Sequence, residues 1–200
     1  MTNITSDTLR IGLERIAMAA EGFAPELNAA DGALGDGDLG ITVSKGFMEA
    51  KNSALPADVG LAFMECAKAF QRVSSSSYGT LVATAFMSAA KACKGREAVP
   101  ADEVPALLKG ALDAMMARGK GQLGDKTVLD SLAAVEAALC DAPEGEMHAT
   151  AVDTAKRTLE EFRQKPNKLG RARSYGERSV GLADPGQLAL LRIVEGLAVG

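Results

Sequence analysis

Tryptophan is absent from this chain and histidine occurs once, at His148. A lone imidazole excludes a multi-histidine metal centre, and it leaves a Ser-His-Asp triad no choice of base. Any catalysis must therefore run on carboxylates, metal ions, backbone groups and cations. Aromatic residues are scarce, at 4% against 47% hydrophobic overall. The core must be built from Ala, Leu, Val, Ile and Met, which suits closely packed helices and disfavours strand-rich architectures. Cysteine is limited to Cys66, Cys93 and Cys140, an odd number lying far apart and outside any CxxC pair. Neither a disulfide framework nor a zinc site is signalled, and a reducing cytoplasm fits. The chain lacks net positive charge, with a formal balance of −4; this argues against nucleic acid or an anionic membrane as partner. It also lacks an apolar run near the ~18 to 20 residues of a membrane span, and its start, MTNITSDTLR, has none of the regions of a secretory signal. The expectation is a protein neither exported nor inserted. No shift in composition marks a second unit within the 200 residues, so one domain over 1–200 is expected.

What is present is helical periodicity. Leu9, Leu13, Ile16 and Ala20, then Phe23 and Leu27, recur at three to four residues and make one helical face over 6–30, with Thr5, Ser6 or Asp7 as cap. The pattern resumes over 41–52 and 59–72. The nearly all-apolar stretch 80–93 predicts a helix deeply buried between neighbours. Further helices are expected at 102–118, 127–140, 147–163 and 186–198, which makes about eight in all. The long connections at 119–126 and 165–185 are rich in glycine and charge, and long loops in a helical domain are where function tends to lie.

The stretch 31–40, DGALGDGDLG, reads as a loop with four glycines and three carboxylates, Asp31, Asp36 and Asp38. On a continuous helix Asp36 would point about 140° away from Asp31, so only a glycine-bent loop aims all three at one point. A divalent cation would resolve their repulsion. Carboxylates without His or Cys select a hard ion, Mg²⁺ or Ca²⁺. An EF-hand fails, because the twelfth position is Phe47 counted from Asp36 and Thr42 counted from Asp31, and neither supplies the bidentate Glu. Magnesium is preferred. Asp and Gly are equally the ordinary residues of a solvated turn. The helix beginning next favours function: Gly40, Ile41 and Thr42 would offer free backbone N–H groups, and helix starts attract phosphate.

Three further segments carry weaker signals. Ser74 to Ser77 with Tyr78, Gly79 and Thr80 precedes a helix and offers hydroxyls and N–H groups to an anion, although such a run is more often a linker or cap. The sequence GKGQLGDKT at 119–127 suggests a P-loop, but Asp125 interrupts the spacing and a helix, not a strand, precedes it. That assignment is rejected. Residues 163–179 concentrate Arg163, Lys165, Lys168, Arg171, Arg173 and Arg178 on an acidic chain, where they would neutralise phosphate or form a solvated basic loop. Asp184, Pro185 and Gly186 turn into the last helix.

Four motifs in one order, GDGDLG at 35–40, SSYGTL at 76–81, GDKTVLD at 124–130 and GRARSYGERSVGLADPG at 170–186, resemble the L subunit, or DAK2-type nucleotide-binding domain, of dihydroxyacetone kinases. The resemblance runs from about residue 8 to the C-terminus. It implies an all-α fold, eight antiparallel helices forming a barrel-like bundle, with ATP or ADP bound at one end through two Mg²⁺ ions. It further implies Asp31, Asp36 and Asp38 as metal ligands. Leu39, Gly40, Ile41 and Thr42 would lie at the phosphates with Ser77 and Tyr78 beside them, and Gly119 and Val128 near the base. Arg171 would oppose phosphate charge, and the Asp184, Pro185, Gly186 turn would complete the nucleotide site.

The same resemblance implies half of an active site. The ketose, dihydroxyacetone or a related triose or tetrulose, would be held covalently by a histidine of a partner K subunit, and the donor would be ATP itself or a phosphocarrier subunit that rephosphorylates a fixed ADP. A nucleotide-loaded regulatory subunit that binds a transcription factor is the alternative. Two departures stand out: Leu39 where many relatives have a histidine, and Ser75 to Gly79 where they have a glycine-rich GGxSG-type loop.

Overall fold

Thr5 and Thr8 cap each other's backbone reciprocally, and from this box α1 runs Ser6–Leu34. The computed structural model describes residues 3–198; the first two and last two positions of the expected domain lie outside it. After α1 come α2 Leu39–Lys51, α3 Val59–Val73, α4 Ser77–Ala92, α5 Val104–Gly119, α6 Val128–Leu139, α7 Met147–Arg163 and α8 Pro185–Gly196. Three 3₁₀ segments, Ala101–Glu103, Glu144–Glu146 and Arg171–Ser179, join them. Among the described residues the one isolated β-bridge pairs Ile4 with Val99, and no helix is long and apolar enough to cross a membrane.

Each helix packs on the next in the chain, and α8 returns to pack on α1. The result is a closed ring, the all-α architecture expected. Its alternation is visible at one end. The cleft there is lined by Asp31 and Leu34 from the end of α1, by Met115, Arg118 and Gly119 from the end of α5, and by residues at the beginnings of α2, α4, α6 and α8. Even-numbered helices start where odd-numbered ones stop. The ring is filled from the inward face of α1, with Leu13, Ile16, Ala20, Phe23 and Leu27, together with Val43, Phe47, Phe70, Ala83, Val135, Leu139 and Leu191. Phe47 meets Phe70 edge-on at 5.1 Å between ring centroids, a favoured aromatic geometry.

Three expectations are corrected. First, α1 extends through Asp31 to Leu34, so only Gly35 to Asp38 is loop; packing of Leu27 and Leu34, both buried, overrides the cost of Gly32 within the helix. Second, α4 is not deeply buried. Gly79, Ala83 and Ala90 alone are fully covered along it, although it packs between α3 and α5. Third, the basic segment is not an open loop: Arg171–Ser179 winds as 3₁₀ turns broken by Gly176 at φ 48°.

Candidate functional site

The three acidic residues come together. Asp31, Asp36 and Asp38 each offer a carboxylate oxygen, and these atoms lie within 4.8 Å of one another. The last turn of α1 presents Asp31, and a chain reversal with Gly37 at φ 78° brings the other two back over it. Asp31 also organises the reversal. Its Oδ2 accepts from the N–H groups of Gly37 at 2.9 Å, Asp38 at 3.0 Å and Leu39 at 3.3 Å, which leaves Oδ1 free of these bonds. Asp36 and Asp38 are exposed, and the Asp38 side chain makes no cap bond although the residue sits at the N-cap of α2. Arg171 reaches across the mouth and pairs with Asp36.

The donor set fits a hard cation. All three ligands are carboxylates with no sulfur or imidazole near, and two stand open for water or phosphate oxygens to complete the shell.

The start of α2 is not the free anion site that its position suggested. Asn28, one turn before Asp31 on α1, accepts from Gly40 N–H at 2.8 Å and from Ile41 N–H at 3.3 Å through Oδ1. Thr42 N–H bonds back to the Asp38 carbonyl, and Leu39 N–H goes to Asp31. Every amide of this helix start is therefore satisfied within the chain. The approach is close as well: a Cβ on Gly40 would overlap the Ala24 carbonyl, so the backbones of α1 and α2 come into contact here.

The start of α4 remains usable. Ser76 caps it by accepting from Gly79 N–H at 3.0 Å, and Ser76 Oγ in turn receives Thr42 Oγ1 at 3.3 Å. Ser77 and Tyr78, the first two helical residues, have no carbonyl one turn earlier to accept their N–H groups. Both line the cleft. The Tyr78 hydroxyl is held well above its usual pKa by burial, with the Asp184 charge adding to the effect, so it stays a neutral donor.

The cleft measures about 790 Å³ and gathers Asp31, Asp36, Asp38, Leu39, Ser77, Tyr78, Gly119, Val128, Arg171, Asp184, Pro185 and Gly186 on its walls. Of the residues singled out from the sequence, Gly40, Ile41 and Thr42 do not line it; Gly40 and Thr42 are buried behind the loop and Ile41 faces outward. Sequence reasoning missed Leu81, Met115, Arg118, Leu129 and Leu169, which also line the cleft. Leu81 and Leu129 fall inside SSYGTL and GDKTVLD, whereas no motif marks Met115, Arg118 or Leu169.

A buried polar knot adjoins the cleft through Asp184. Lys126 is 0% exposed, and its ammonium donates to the carbonyls of Lys165 at 2.8 Å, Ser179 at 2.9 Å and Arg163 at 3.2 Å. Asn167 Nδ2 donates to Lys126 O and to Asp184 Oδ1, both at 2.7 Å. Asp184 completes the knot by capping α8 through Gln187 N–H at 2.9 Å. Its carboxylate is thus engaged inside the protein. Burial pushes its pKa up to about 6, against the hydrogen bonds from Gln187 and Asn167 and the charge of Lys126. An unfolded aspartate titrates near 3.9. Between those values the folded chain holds a proton that the unfolded chain releases, so stability from this group is greatest at low pH and falls as pH rises. Urea denaturation is expected to show the stability of the wild type relative to Asp184→Asn dropping by about 2 kcal/mol from pH 4 to pH 7. A flat difference would show that the carboxyl titrates normally.

The ring of helices thus gathers a carboxylate cluster, an arginine and an open helix start around one cleft. Residues 33–199 match the family model described as "DAK2 domain". The chain belongs to that family. It is 28% identical over 182 residues, 86% of either chain, to "PEP-dependent dihydroxyacetone kinase, ADP-binding subunit DhaL" of Escherichia coli (strain K12). It is 30% identical over 163 residues to "PEP-dependent dihydroxyacetone kinase 1, ADP-binding subunit DhaL" of Listeria innocua, covering 80% of this chain and 79% of that one. The dihydroxyacetone kinase from C. freundii, solved in complex with AMP-PNP and Mg²⁺, shares the fold at a TM-score of 0.76 and 23% identity. That match covers 99% of this chain but 34% of the kinase, so this chain spans about a third of it.

Proposed function

We propose that this chain is a single-domain, cytoplasmic nucleotide- and magnesium-binding subunit of a dihydroxyacetone-type kinase, active only with a partner. The observation that carries the reading is the convergence of the Asp31, Asp36 and Asp38 carboxylates within 4.8 Å on a cleft that also holds Arg171 and the start of α4. Membership of the DAK2 family supports it.

Phosphoryl transfer asks mainly for positioning and charge neutralisation, so a chain without a nucleophile of its own suffices. Bound by the three aspartates, Mg²⁺, two ions in this reading, supplies charge neutralisation to polyphosphate oxygens. Ser77 and Tyr78 N–H groups donate to the phosphate oxygens. Arg171, already at the carboxylate cluster, turns from Asp36 to the phosphates once the carboxylate is engaged elsewhere. Leu81, Met115, Gly119, Val128 and Leu129 form the apolar wall for the base. The acceptor, a small ketose such as dihydroxyacetone or a related triose or tetrulose, is held covalently on a K-type subunit that docks at this end of the ring.

Names of two relatives include "PEP-dependent" and "ADP-binding subunit". They favour the form in which ADP stays bound and a phosphocarrier rephosphorylates it. Calorimetry with Mg²⁺ and ADP tests the nucleotide site: heat of association is expected, and none would sink the reading. Labelled ADP chased with unlabelled ATP then separates the donors. Retention supports the fixed cofactor, whereas rapid exchange supports direct use of ATP.

A further inference from the structure

Asn28 stands outside every motif singled out in the sequence and does not line the cleft, yet its geometry ties it to the carboxylate cluster. Asn28 and Asp31 lie three residues apart on one face of α1. Between them they hold a run of backbone amides: Asp31 takes Gly37, Asp38 and Leu39, and Asn28 takes Gly40 and Ile41. Two side chains thus serve as a template on which the whole reversal from α1 into α2 is laid down.

We infer that Asn28 is a positioning residue for the metal loop, holding the first turn of α2 against α1 so that Asp36 and Asp38 face Asp31 before any ligand arrives. The physical need is clear. Three carboxylates repel one another, and the loop that carries two of them is only four residues long, so without an anchor on its far side it would open toward solvent. Neither Asp36 nor Asp38 supplies that anchor, because Asp38 makes no cap bond and Asp36 is paired with an exposed arginine. Gly40 lets the anchor work, since the backbone contact with Ala24 leaves no room for a side chain between the two helices. A second consequence concerns the anion. With Asn28 on these amides, the start of α2 offers none to phosphate, and the start of α4 must do that work.

This inference rests on the nucleotide-site reading, and one set of measurements separates the two. Asn28→Ala removes the acceptor, while Asn28→Asp keeps an oxygen in the same place. In the ligand-free protein, amide hydrogen exchange at Gly40 and Ile41 is expected to lose protection in Asn28→Ala and to regain it in Asn28→Asp. In calorimetry, Asn28→Ala is expected to weaken Mg²⁺-dependent ADP binding about tenfold or more, and Asn28→Asp to recover it to within about threefold of wild type. A circular-dichroism melt confirms that each variant is folded at the temperature of measurement. Unchanged protection in folded Asn28→Ala would overturn the inference. So would lost protection with ADP affinity within about twofold of wild type, because the loop would then not need the anchor. If wild type binds no Mg²⁺–ADP, the functional reading falls alone, and exchange in the ligand-free chain still decides whether Asn28 holds the loop.

Discussion

Replacing Asp36 and Asp38 together by asparagine is expected to weaken Mg²⁺-dependent ADP binding by at least about 500-fold, with the helical circular-dichroism signal intact. Removing one member of a close charge pair typically costs about 2–5 kcal/mol. Two such losses at the low end make about 4 kcal/mol, and each 1.4 kcal/mol is a factor of about ten. The fold is spared because both side chains are exposed and neither caps a helix. The Asp36 pair with Arg171 contributes little, since both partners are solvated. The ligand-free protein is even expected to melt at the same or a slightly higher temperature, because two of three repelling charges are gone. The added stability conferred by Mg²⁺ and ADP should vanish. Calorimetry and paired melts with and without ligand check both halves. Retained affinity in the double variant would place the cation elsewhere. Asp31→Ala is expected to differ in kind: it strips three amides of their acceptor and so lowers stability and binding together.

That contrast shows what was legible in the sequence. Three aspartates among glycines suggested a carboxylate cluster, and the structure does bring their oxygens within 4.8 Å of one another. Helix periodicity was equally plain: α7 at 147–163 agrees with expectation, and the other helices differ mainly at their ends. The division of labour among the aspartates was hidden, because nothing in spacing says that Asp31 remains in a helix and spends one oxygen on the backbone. Asn28 was hidden for a related reason. Its role depends on α2 passing within hydrogen-bonding distance, a tertiary fact, although its place one turn before Asp31 on the same face is a signal that can be sought. The free amides expected at Gly40, Ile41 and Thr42 failed on the same ground. Helix starts do attract anions, but they attract the protein's own acceptors first.

Lys126 is the residue whose role the sequence concealed most, and its loss is expected to be the most damaging to stability. In a glycine-rich stretch a lysine reads as a solvated charge or a phosphate ligand. Instead it is wholly buried, with φ 60°, and its three ammonium protons meet three carbonyls. Those carbonyls belong to Arg163 at the end of α7 and to Lys165 and Ser179, which bracket the segment carrying Arg171. Lys126→Met keeps the aliphatic stem and removes the donors. The Lys165 carbonyl would then lose its donor, those of Arg163 and Ser179 would keep only the N–H groups of Gly181 and Leu182, and Asp184 would lose the positive charge beside it. At about 1–3 kcal/mol for the unsatisfied Lys165 carbonyl, with a further loss from the uncompensated charge of buried Asp184, a loss of about 2 kcal/mol or more is expected in urea denaturation. Lys126→Arg should not rescue it, since a planar fork cannot direct three donors at this arrangement and is too large for the space. The functional effect should follow from the same break. Tryptic cleavage near Arg171 and Arg173 is expected to accelerate in Lys126→Met. Mg²⁺–ADP affinity should also fall, although every carboxylate of the cluster is untouched. A variant as stable as wild type would mean that the knot is replaceable, and that the 165–185 segment is held against the ring by its packing alone.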